Sequence, residues 1–219
     1  MPHGSRTEHR RCERLTNADR GQSSFAAWRG SVSRLDLVVG PNGGGKTTFV
    51  REILAPQLPI SSFVNADVIA SRTWPDNPEQ HSYEAAEHAQ TARAALIKSG
   101  RQFIAETVYS HPSKLELVDD ALSAGFYVAL HVLMVPVDEA VARVAYRVAH
   151  GGHSVPEVKV RERYVRLWPL VAEAAKRSHS ASYWDNSGSS ISLVAELVEG
   201  QIVGTTKWPN WAPEVLQSR

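Results

Sequence analysis

The sequence predicts an α/β fold in which helices cover both faces of a mainly parallel sheet, giving three layers. Short apolar runs alternate with helical periods from Leu35 onward, as in successive βαβ units. A glycine-rich turn follows the first apolar run, where parallel sheets bind ligands. The 219 residues are 42% hydrophobic and 21% charged, an ordinary globular composition. One domain is therefore expected over residues 32–219.

The first half of the chain predicts three strands separated by helices. Pro56 is expected to stop the first helix, because proline interrupts helical hydrogen bonding. Apolar residues of the second helix recur at intervals of four, three and four, and Gly100 ends it. The predicted elements are strands at 35–39, 61–65 and 102–106 and helices at 46–58 and 82–99.

The second half predicts further alternation and then a hairpin. Ser154 and Glu157 have capping-box spacing, which predicts a helix start, and Pro169 is expected to kink or split that helix. Two strands are expected around the turn Glu199–Gly200. The other predicted elements are helices at 112–125 and 137–150 and strands at 126–135 and 182–186.

Residues 1–31 are predicted to be a flexible basic tail, with little apolar periodicity. Residues 1–30 hold six arginines and three acidic residues, a net +3, so the total of +1 leaves −2 for the remainder. A slightly acidic body argues against extended duplex binding, and a nucleic-acid partner is not expected. A basic nucleic-acid arm is the alternative for the tail.

The sequence predicts a cytoplasmic protein with no membrane segment. It contains no run of about 18 apolar residues, and the first thirty residues lack the apolar stretch of a secretory signal. Cys12 is the single cysteine and cannot form an internal disulfide, which fits a reducing compartment.

The stretch GPNGGGKTT matches the pattern GxxxxGK[ST] between a strand and a helix. Glycines let backbone N–H groups curl around phosphates, and the helix N-terminus adds a positive dipole. Lys46 should bridge the β and γ phosphates, and Thr47 should hold Mg2+. The P-loop NTPase fold follows from this motif. Its predicted nucleotide-binding residues are Gly40, Pro41, Asn42, Gly43, Gly44, Gly45, Lys46, Thr47 and Thr48.

Two carboxylates follow predicted strands at the same edge of the sheet. Asp67 could accept a proton from an acceptor hydroxyl, or either Asp67 or Asn65 could simply cap the next helix. Glu106 is a candidate for the metal's water shell or for an acceptor hydroxyl. The alternative for Glu106 is a solvated strand end.

Four arginines flank a flexible joint and predict a short arginine-bearing lid. Arg143 and Arg147 precede Gly151–His153, and Arg161 and Arg163 follow it. Arginines on a mobile segment can cover the charge of a moving phosphoryl group. The alternative is a solvated helix face.

Five segments, in their order along the chain, resemble the zeta toxin family of bacterial P-loop kinases. This family is similar to the adenylate kinase group. The segments are GPNGGGKTT, FVNADVIA, FIAETVYSHPSK, RVAHGGHSVPEVKVRERY and YWDNS. The resemblance covers about residues 34–188. It implies ATP and Mg2+ as cofactors and transfer of phosphate to the 3′-hydroxyl of the amino sugar in UDP-N-acetylglucosamine. Many family members are neutralised by a small protein antitoxin, so such a partner is also implied.

The resemblance also implies roles for individual residues. Val108 departs from the family, whose members often have a hydroxyl residue two positions after the strand-end glutamate. The resemblance implies that Lys46 and Thr47 bind ATP and magnesium and that Asp67 is the general base. It implies that Glu106 contacts the acceptor and that Arg147 and Arg163 stabilise the transferring phosphoryl group. It also implies that Asp185 and Asn186 lie near adenine.

The expected function is therefore that of an ATP-dependent kinase acting on a hydroxyl of a small metabolite. Two alternatives remain open from the sequence. An antibiotic or nucleoside phosphotransferase would use the same machinery on another hydroxyl compound. A regulatory module would bind the nucleotide without transfer.

Overall fold

The computed structural model describes residues 32–152 and 154–217, which are built around one seven-stranded sheet. Its strands follow the order β2-β3-β1-β4-β5-β6-β7. The pairs from β2 to β5 are parallel, whereas β6 and β7 are antiparallel additions. The predicted tail at residues 1–31 lies outside the described residues. The strands are β1 (Arg34–Val39), β2 (Ser62–Val64), β3 (Phe103–Thr107), β4 (Tyr127–Met134), β5 (Ser180–Asp185), β6 (Ser192–Val198) and β7 (Gln201–Val203).

Helices cover both faces of the sheet, which confirms the predicted fold class. Helix α1 packs on one face through Phe49, Val50 and Leu54. Helices α3, α4 and α6 pack on the other face. The helices are α1 (Lys46–Phe49, continued by a π-helical turn at Val50–Leu54 and by Ala55–Gln57), α2 (Ala66–Thr73), α3 (Ser82–Lys98), α4 (Lys114–Ser123), α5 (Val137–Ala149), α6 (Glu157–Arg177) and α7 (Glu214–Gln217).

The structure refines three sequence expectations about helices. Helix α1 ends at Gln57, one residue past Pro56 and one short of the predicted bound. Pro169 lies inside the continuous helix α6 and does not split it. The helix predicted after Ser154 does begin, at Glu157, but Ser154 does not cap it. Its backbone N–H instead donates to Glu79 Oε1 at 2.6 Å, and Pro156 precedes the first helical residue.

A buried polar network lies on the α1 side of the sheet. Arg34 donates to both carboxylate oxygens of Asp36, at 2.7 and 2.8 Å. His131 Nε2 lies 2.9 Å from Asp36 Oδ1. The rings of Phe49 and His131 are 5.6 Å apart, so α1 rests on this network.

The carboxyl ends of the five parallel strands meet at one edge of the sheet. The connections from β1 and β4 leave toward opposite sides of the sheet, which creates a crevice where ligands bind in such folds. Within the described ranges, no helix is long and apolar enough to cross a membrane.

Candidate active site

The turn between β1 and α1 has a backbone shape that requires glycine. Gly40 has φ +148°, and a Cβ there would collide with the carbonyl oxygen of Leu133. Gly45 has φ +83°, and a Cβ there would collide with the side-chain amide of Asn186. Residues 40–45 therefore keep their backbone N–H groups close to the space that phosphates need.

Lys46 is the first residue of α1, and its ammonium group is buried inside the turn. Its Nζ donates to the carbonyl oxygen of Pro41 at 2.8 Å. Burial lowers the pKa of Lys46, the carboxylates of Glu106 and Asp67 act to raise it, and Arg147 acts to lower it. Four residues that the sequence singled out therefore lie within electrostatic range of one another.

Asp67 lies in the first turn of α2, at the carboxyl end of β2. Asn65 Oδ1 accepts hydrogen bonds from the backbone N–H groups of Asp67 and Val68, at 2.7 and 3.2 Å. Asn65 is therefore the N-cap of this helix. The exposed carboxylate of Asp67 is not needed for capping and faces solvent near the lysine.

Glu106 is 8% exposed, so its alternative as a solvated strand end is wrong. The hydroxyl of Thr47 lies 2.9 and 3.0 Å from its two carboxylate oxygens. Pairing of Val38 with Glu106 in the register of β1 and β3 places this carboxylate beside the P-loop.

The hydroxyl of Thr47 and the carboxylate of Glu106 fit Mg2+ by their chemistry. This ion binds oxygen, keeps several waters, and commonly uses one or two protein groups together with substrate phosphates. Residues 32–152 and 154–217 contain no cluster of three or more His, Cys, Asp or Glu side chains able to hold a metal. The two oxygen ligands of Thr47 and Glu106 suit an ion that shares its other ligands with a nucleotide.

Two of the four lid arginines are held by contacts within the fold. Arg143 Nη2 donates to the carbonyl oxygen of Asn186 at 2.8 Å. Arg161 pairs with Asp138 and Glu157, each at 2.8 Å, and so connects α5 with α6. These contacts anchor the helices on both sides of the predicted joint.

Arg147 is the lid arginine whose charge reaches Lys46. Arg163 is half-buried on α6, and its role in phosphoryl transfer stays a prediction. His153, within the predicted joint, lies outside the described residues, so movement of the lid also stays a prediction.

The segment after β5 forms a wall beside the P-loop. Asn186 donates from Nδ2 to the carbonyl oxygen of Gly44 at 3.0 Å, and its backbone N–H donates to Met134 at 2.9 Å. Asp185 Oδ1 accepts the backbone N–H of Ser187 at 2.8 Å. The contact of these residues with adenine stays a prediction.

Sequence reasoning missed one buried cation among these helices. Arg93 continues the core-facing stripe of Ala85 and Ala89 on α3, at intervals of four residues. That spacing was the available signal, because a charged residue on the apolar side of a helical period is unusual.

Together the fold and the P-loop define a P-loop NTPase domain with a kinase-like architecture. The model of the AAA domain family AAA_33 matches residues 35–166. The chain belongs to this family. An uncharacterized protein of Haemophilus influenzae is 32% identical over 126 residues, which are 57% of this chain and 88% of that protein.

Several solved structures share the fold. The AvrRxo1-ORF1:-ORF2 complex with ATP has a TM-score of 0.64 and 17% identity over 80% of this chain and 61% of the matched chain. The PezAT toxin-antitoxin system of Streptococcus pneumoniae has a TM-score of 0.57 and 12% identity, over 92% and 89%. A putative kinase from Chloroflexus aurantiacus has a TM-score of 0.51 and 20% identity, over 62% and 79%. The chain thus spans less than two thirds of the matched AvrRxo1 chain.

Proposed function

We propose that this protein is an ATP-dependent phosphotransferase that moves the γ-phosphate of ATP to a hydroxyl of a small metabolite. The observation that carries the proposal is the surrounding of Lys46. Asp67, Glu106 and Arg147 come from three separate elements and lie within electrostatic range of that lysine. A module that only bound a nucleotide would not need an exposed carboxylate and an arginine at this place.

The transfer step follows from the chemistry of these side chains. The acceptor oxygen forms a bond to the γ-phosphorus while the bond from that phosphorus to the β,γ-bridging oxygen breaks. ADP leaves with the electron pair. Asp67 accepts the proton of the acceptor hydroxyl and later releases it to water. Lys46 holds the β and γ phosphates in line for the attack.

Arginine side chains balance the charge of the moving phosphoryl group. Arg147 already lies in the field of Lys46, and we assign this stabilisation to it, together with Arg163. Because the charge is spread in the transition state, loss of either arginine should lower kcat more than ATP affinity.

Thr47 and Glu106 would hold Mg2+, which when bound neutralises the charge of the nucleotide phosphates. Asp185 and Asn186 would border the adenine side of the nucleotide, since Asn186 already contacts the P-loop at Gly44. The whole of residues 32–219 acts as one kinase domain in this proposal, and ATP chemistry of this kind belongs in the cytoplasm.

UDP-N-acetylglucosamine is the acceptor that we propose, on the basis of the motif resemblance to zeta toxins. Val108 packs against the core and has no hydroxyl group to offer the acceptor. Thr107 and Ser110 are half-buried neighbours and supply the hydroxyl groups of this loop. A small protein antitoxin is the proposed partner, because related folds occur in the AvrRxo1-ORF1:-ORF2 complex and the PezAT toxin-antitoxin system.

The proposal is tested by incubating the protein with Mg-ATP and UDP-N-acetylglucosamine and weighing the products by mass spectrometry. A product one phosphate heavier is expected. Asp67→Asn should lower kcat by about 10²-fold to 10⁴-fold, the usual contribution of a general base. Asp120→Asn, an exposed carboxylate on α4, is the matched control and should leave kcat unchanged.

Other results of this experiment redirect or reject the proposal. ADP formed without a heavier sugar nucleotide would retain the kinase and send the search to nucleosides and antibiotics as acceptors. Full activity of Asp67→Asn would remove Asp67 from the role of base. Binding of ATP with no transfer to any acceptor in such a panel would favour a regulatory module.

A further inference from the structure

The C-terminal end of helix α5 is a backbone turn that brings Gly152 back over Arg147. The N–H of Gly151 donates to the carbonyl oxygen of Val148 at 3.0 Å, and the N–H of Gly152 donates to that of Arg147 at 2.9 Å. Gly151 has φ +78°, the left-handed conformation that such a helix ending uses. These features define a Schellman motif, in which Gly152 is the residue that folds back onto the last full turn of the helix.

Two other helices end in the same motif but have a side chain at the position that corresponds to Gly152. At the end of α3, the N–H of Arg101 donates to the carbonyl oxygen of Leu96 at 3.0 Å. At the end of α4, the N–H of Phe126 donates to that of Ala121 at 2.9 Å. In both helices a glycine with positive φ comes just before the donor. Phe126 and Ala121 also share the hydrophobic core, and an apolar contact of this kind commonly accompanies the motif.

Space, and not backbone conformation, accounts for the missing side chain at Gly152. Its φ lies outside the left-handed region, so the turn itself does not require glycine at this position. A Cβ on Gly152 would lie 2.5 Å from Cγ and 3.2 Å from Cδ of Arg147. Carbon atoms in favourable contact are about 3.5–4.0 Å apart, so the aliphatic stem of the arginine occupies the space that a side chain would need. A Cβ on the preceding Gly151 would meet nothing within 4 Å.

The backbone is held on both sides of Gly152. Its own N–H is bonded to Arg147, and the N–H of Ser154 donates to Glu79 Oε1 in the loop between α2 and α3 at 2.6 Å. An added methyl group would therefore displace the flexible side chain of Arg147 more readily than the backbone. Rotation of that stem would carry the guanidinium group away from its present position.

We propose that Gly152 is a positioning residue, whose missing side chain leaves the space in which the stem of Arg147 directs its guanidinium group toward the transferring phosphoryl group. The catalytic consequence rests on the proposed kinase function, which assigns that stabilisation to Arg147. The contact between Gly152 and the stem of Arg147 does not depend on that assignment, and it can be measured separately.

The kinetic test compares substitutions at the two neighbouring glycines. Gly152→Ala should lower kcat about 10-fold to 100-fold, as expected when a group at the reacting centre is displaced by about 1 Å, and should leave the dissociation constant of ATP unchanged. Gly151→Asn is the matched control, because asparagine tolerates the left-handed conformation and its Cβ would meet open space. This control should leave kcat unchanged.

A glycine that only ended the helix would behave differently. Alanine at such a position would keep full kcat and raise the melting temperature, because it restricts the unfolded chain. Full kcat in Gly152→Ala, beside a loss of kcat in Arg147→Ala, would overturn the positioning role and leave the kinase assignment intact.

A double variant shows whether Gly152 acts through Arg147. Arg147→Ala removes Cγ and Cδ, the atoms that the new methyl group would meet. Adding Gly152→Ala to Arg147→Ala should therefore lower kcat no further. If the two losses multiplied instead, Gly152 would act independently of the arginine, and the inference would be overturned.

NMR spectroscopy of 15N-labelled protein tests the contact without turnover. The Nε atom of Arg147 is buried, and its Nε–H signal is identified by its loss in Arg147→Lys. Gly152→Ala should shift this signal, whereas Gly151→Asn should leave it in place. If no acceptor is phosphorylated but the signal shifts, the contact stands and the kinase assignment fails. An unshifted signal in Gly152→Ala would overturn the positioning role whatever the activity of the protein.

Discussion

Two groups of charged residues lie near helix α1, one beneath it and one at its N-terminus, and they differ in how their charges are arranged. The first group, Arg34, Asp36 and His131, is buried in the sheet beneath the helix. Asp36 is 1% exposed and accepts hydrogen bonds from the arginine at 2.7 and 2.8 Å, and it also contacts the histidine at 2.9 Å. Both carboxylate oxygens of Asp36 are therefore bonded to other side chains of the protein.

The second group, Lys46, Asp67, Glu106 and Arg147, lies at the carboxyl edge of the sheet. Within the described ranges, neither carboxylate forms an ion pair with Lys46, whose Nζ donates to a backbone carbonyl. Glu106 instead accepts from the hydroxyl of Thr47. Lys46 and these two carboxylates influence one another without forming ion pairs, which leaves them able to bind phosphates and a metal.

Helix α1 connects the two groups. The Phe49 ring is tilted against the rings of His131 and Trp184, with centroid distances of 5.6 and 5.3 Å, and Lys46 lies three residues earlier at the start of the helix. The first group, whose charges are paired, therefore supports the helix from below, and the second group lies at its N-terminus. Charges paired in the interior stabilise the fold, whereas charges at the crevice are available to a ligand.

The largest expected effect comes from breaking the paired group. Asp36→Ala leaves Arg34 buried without its counter-ion, so the free energy of unfolding should fall by about 3–5 kcal/mol. Urea denaturation followed by circular dichroism measures this change. The matched control is Asp138→Ala, an exposed carboxylate paired with Arg161, which should cost about 0–1 kcal/mol. Equal losses in the two variants would contradict a special role for the buried network.

Removal of the P-loop lysine should lower the activity and not the stability. Lys46→Met removes a donor that meets charge in the transition state, so kcat should fall about 10²-fold to 10³-fold. Because burial lowers the pKa of Lys46, its charged form is held at a cost, and the free energy of unfolding should stay equal or rise. Steady-state kinetics and urea denaturation measure the two quantities. Lys98→Met should change neither, and a strongly destabilised Lys46→Met protein would place this lysine with the structural group.

Acidification should distinguish the two groups without mutation. Burial by itself raises the pKa of Asp36, but hydrogen bonds from His131 and Arg34 outweigh it, and the net shift is below the ordinary 3.8. Since the folded pKa is depressed, the stabilisation is present above pH 3.8 and is lost as the pH falls through that value toward the folded pKa. Unfolding free energies measured between about pH 6 and pH 3 should fall more steeply for the natural protein than for Asp36→Asn. Parallel curves would assign the acid sensitivity to other carboxylates.

Much of the fold could be predicted from the sequence because its signals are local. Apolar runs and helical periods predicted the parallel core, and the turn at Glu199–Gly200 predicted the final hairpin. Two details needed the folded chain. The contact of Glu79 with the backbone of Ser154 replaced the predicted cap, and Pro169 is accommodated in a helix whose residues Leu167 and Trp168 lie in the core.

The site was predictable where residues had a motif and not where burial decided their role. The P-loop pattern identified Lys46 and Thr47, and strand ends indicated Asp67 and Glu106. Nothing local separates Arg143, which holds the carbonyl of Asn186, from the other arginines near the joint. That distinction depends on which residues face one another after folding.

Asn65 offers the smallest and most selective change, because it is a structural cap next to the proposed base Asp67. Its Oδ1 caps α2 and fixes the backbone of the turn that carries Asp67. Asn65→Ala should lower the free energy of unfolding by about 1 kcal/mol, the usual cost of a lost N-cap, and should reduce kcat by a smaller factor than Asp67→Asn. Asp67→Asn should cost less stability because the cap remains. Urea denaturation and steady-state kinetics of the two variants test this crossed pattern. If Asn65→Ala lost as much kcat as Asp67→Asn without losing stability, the asparagine would itself have to touch the reacting groups.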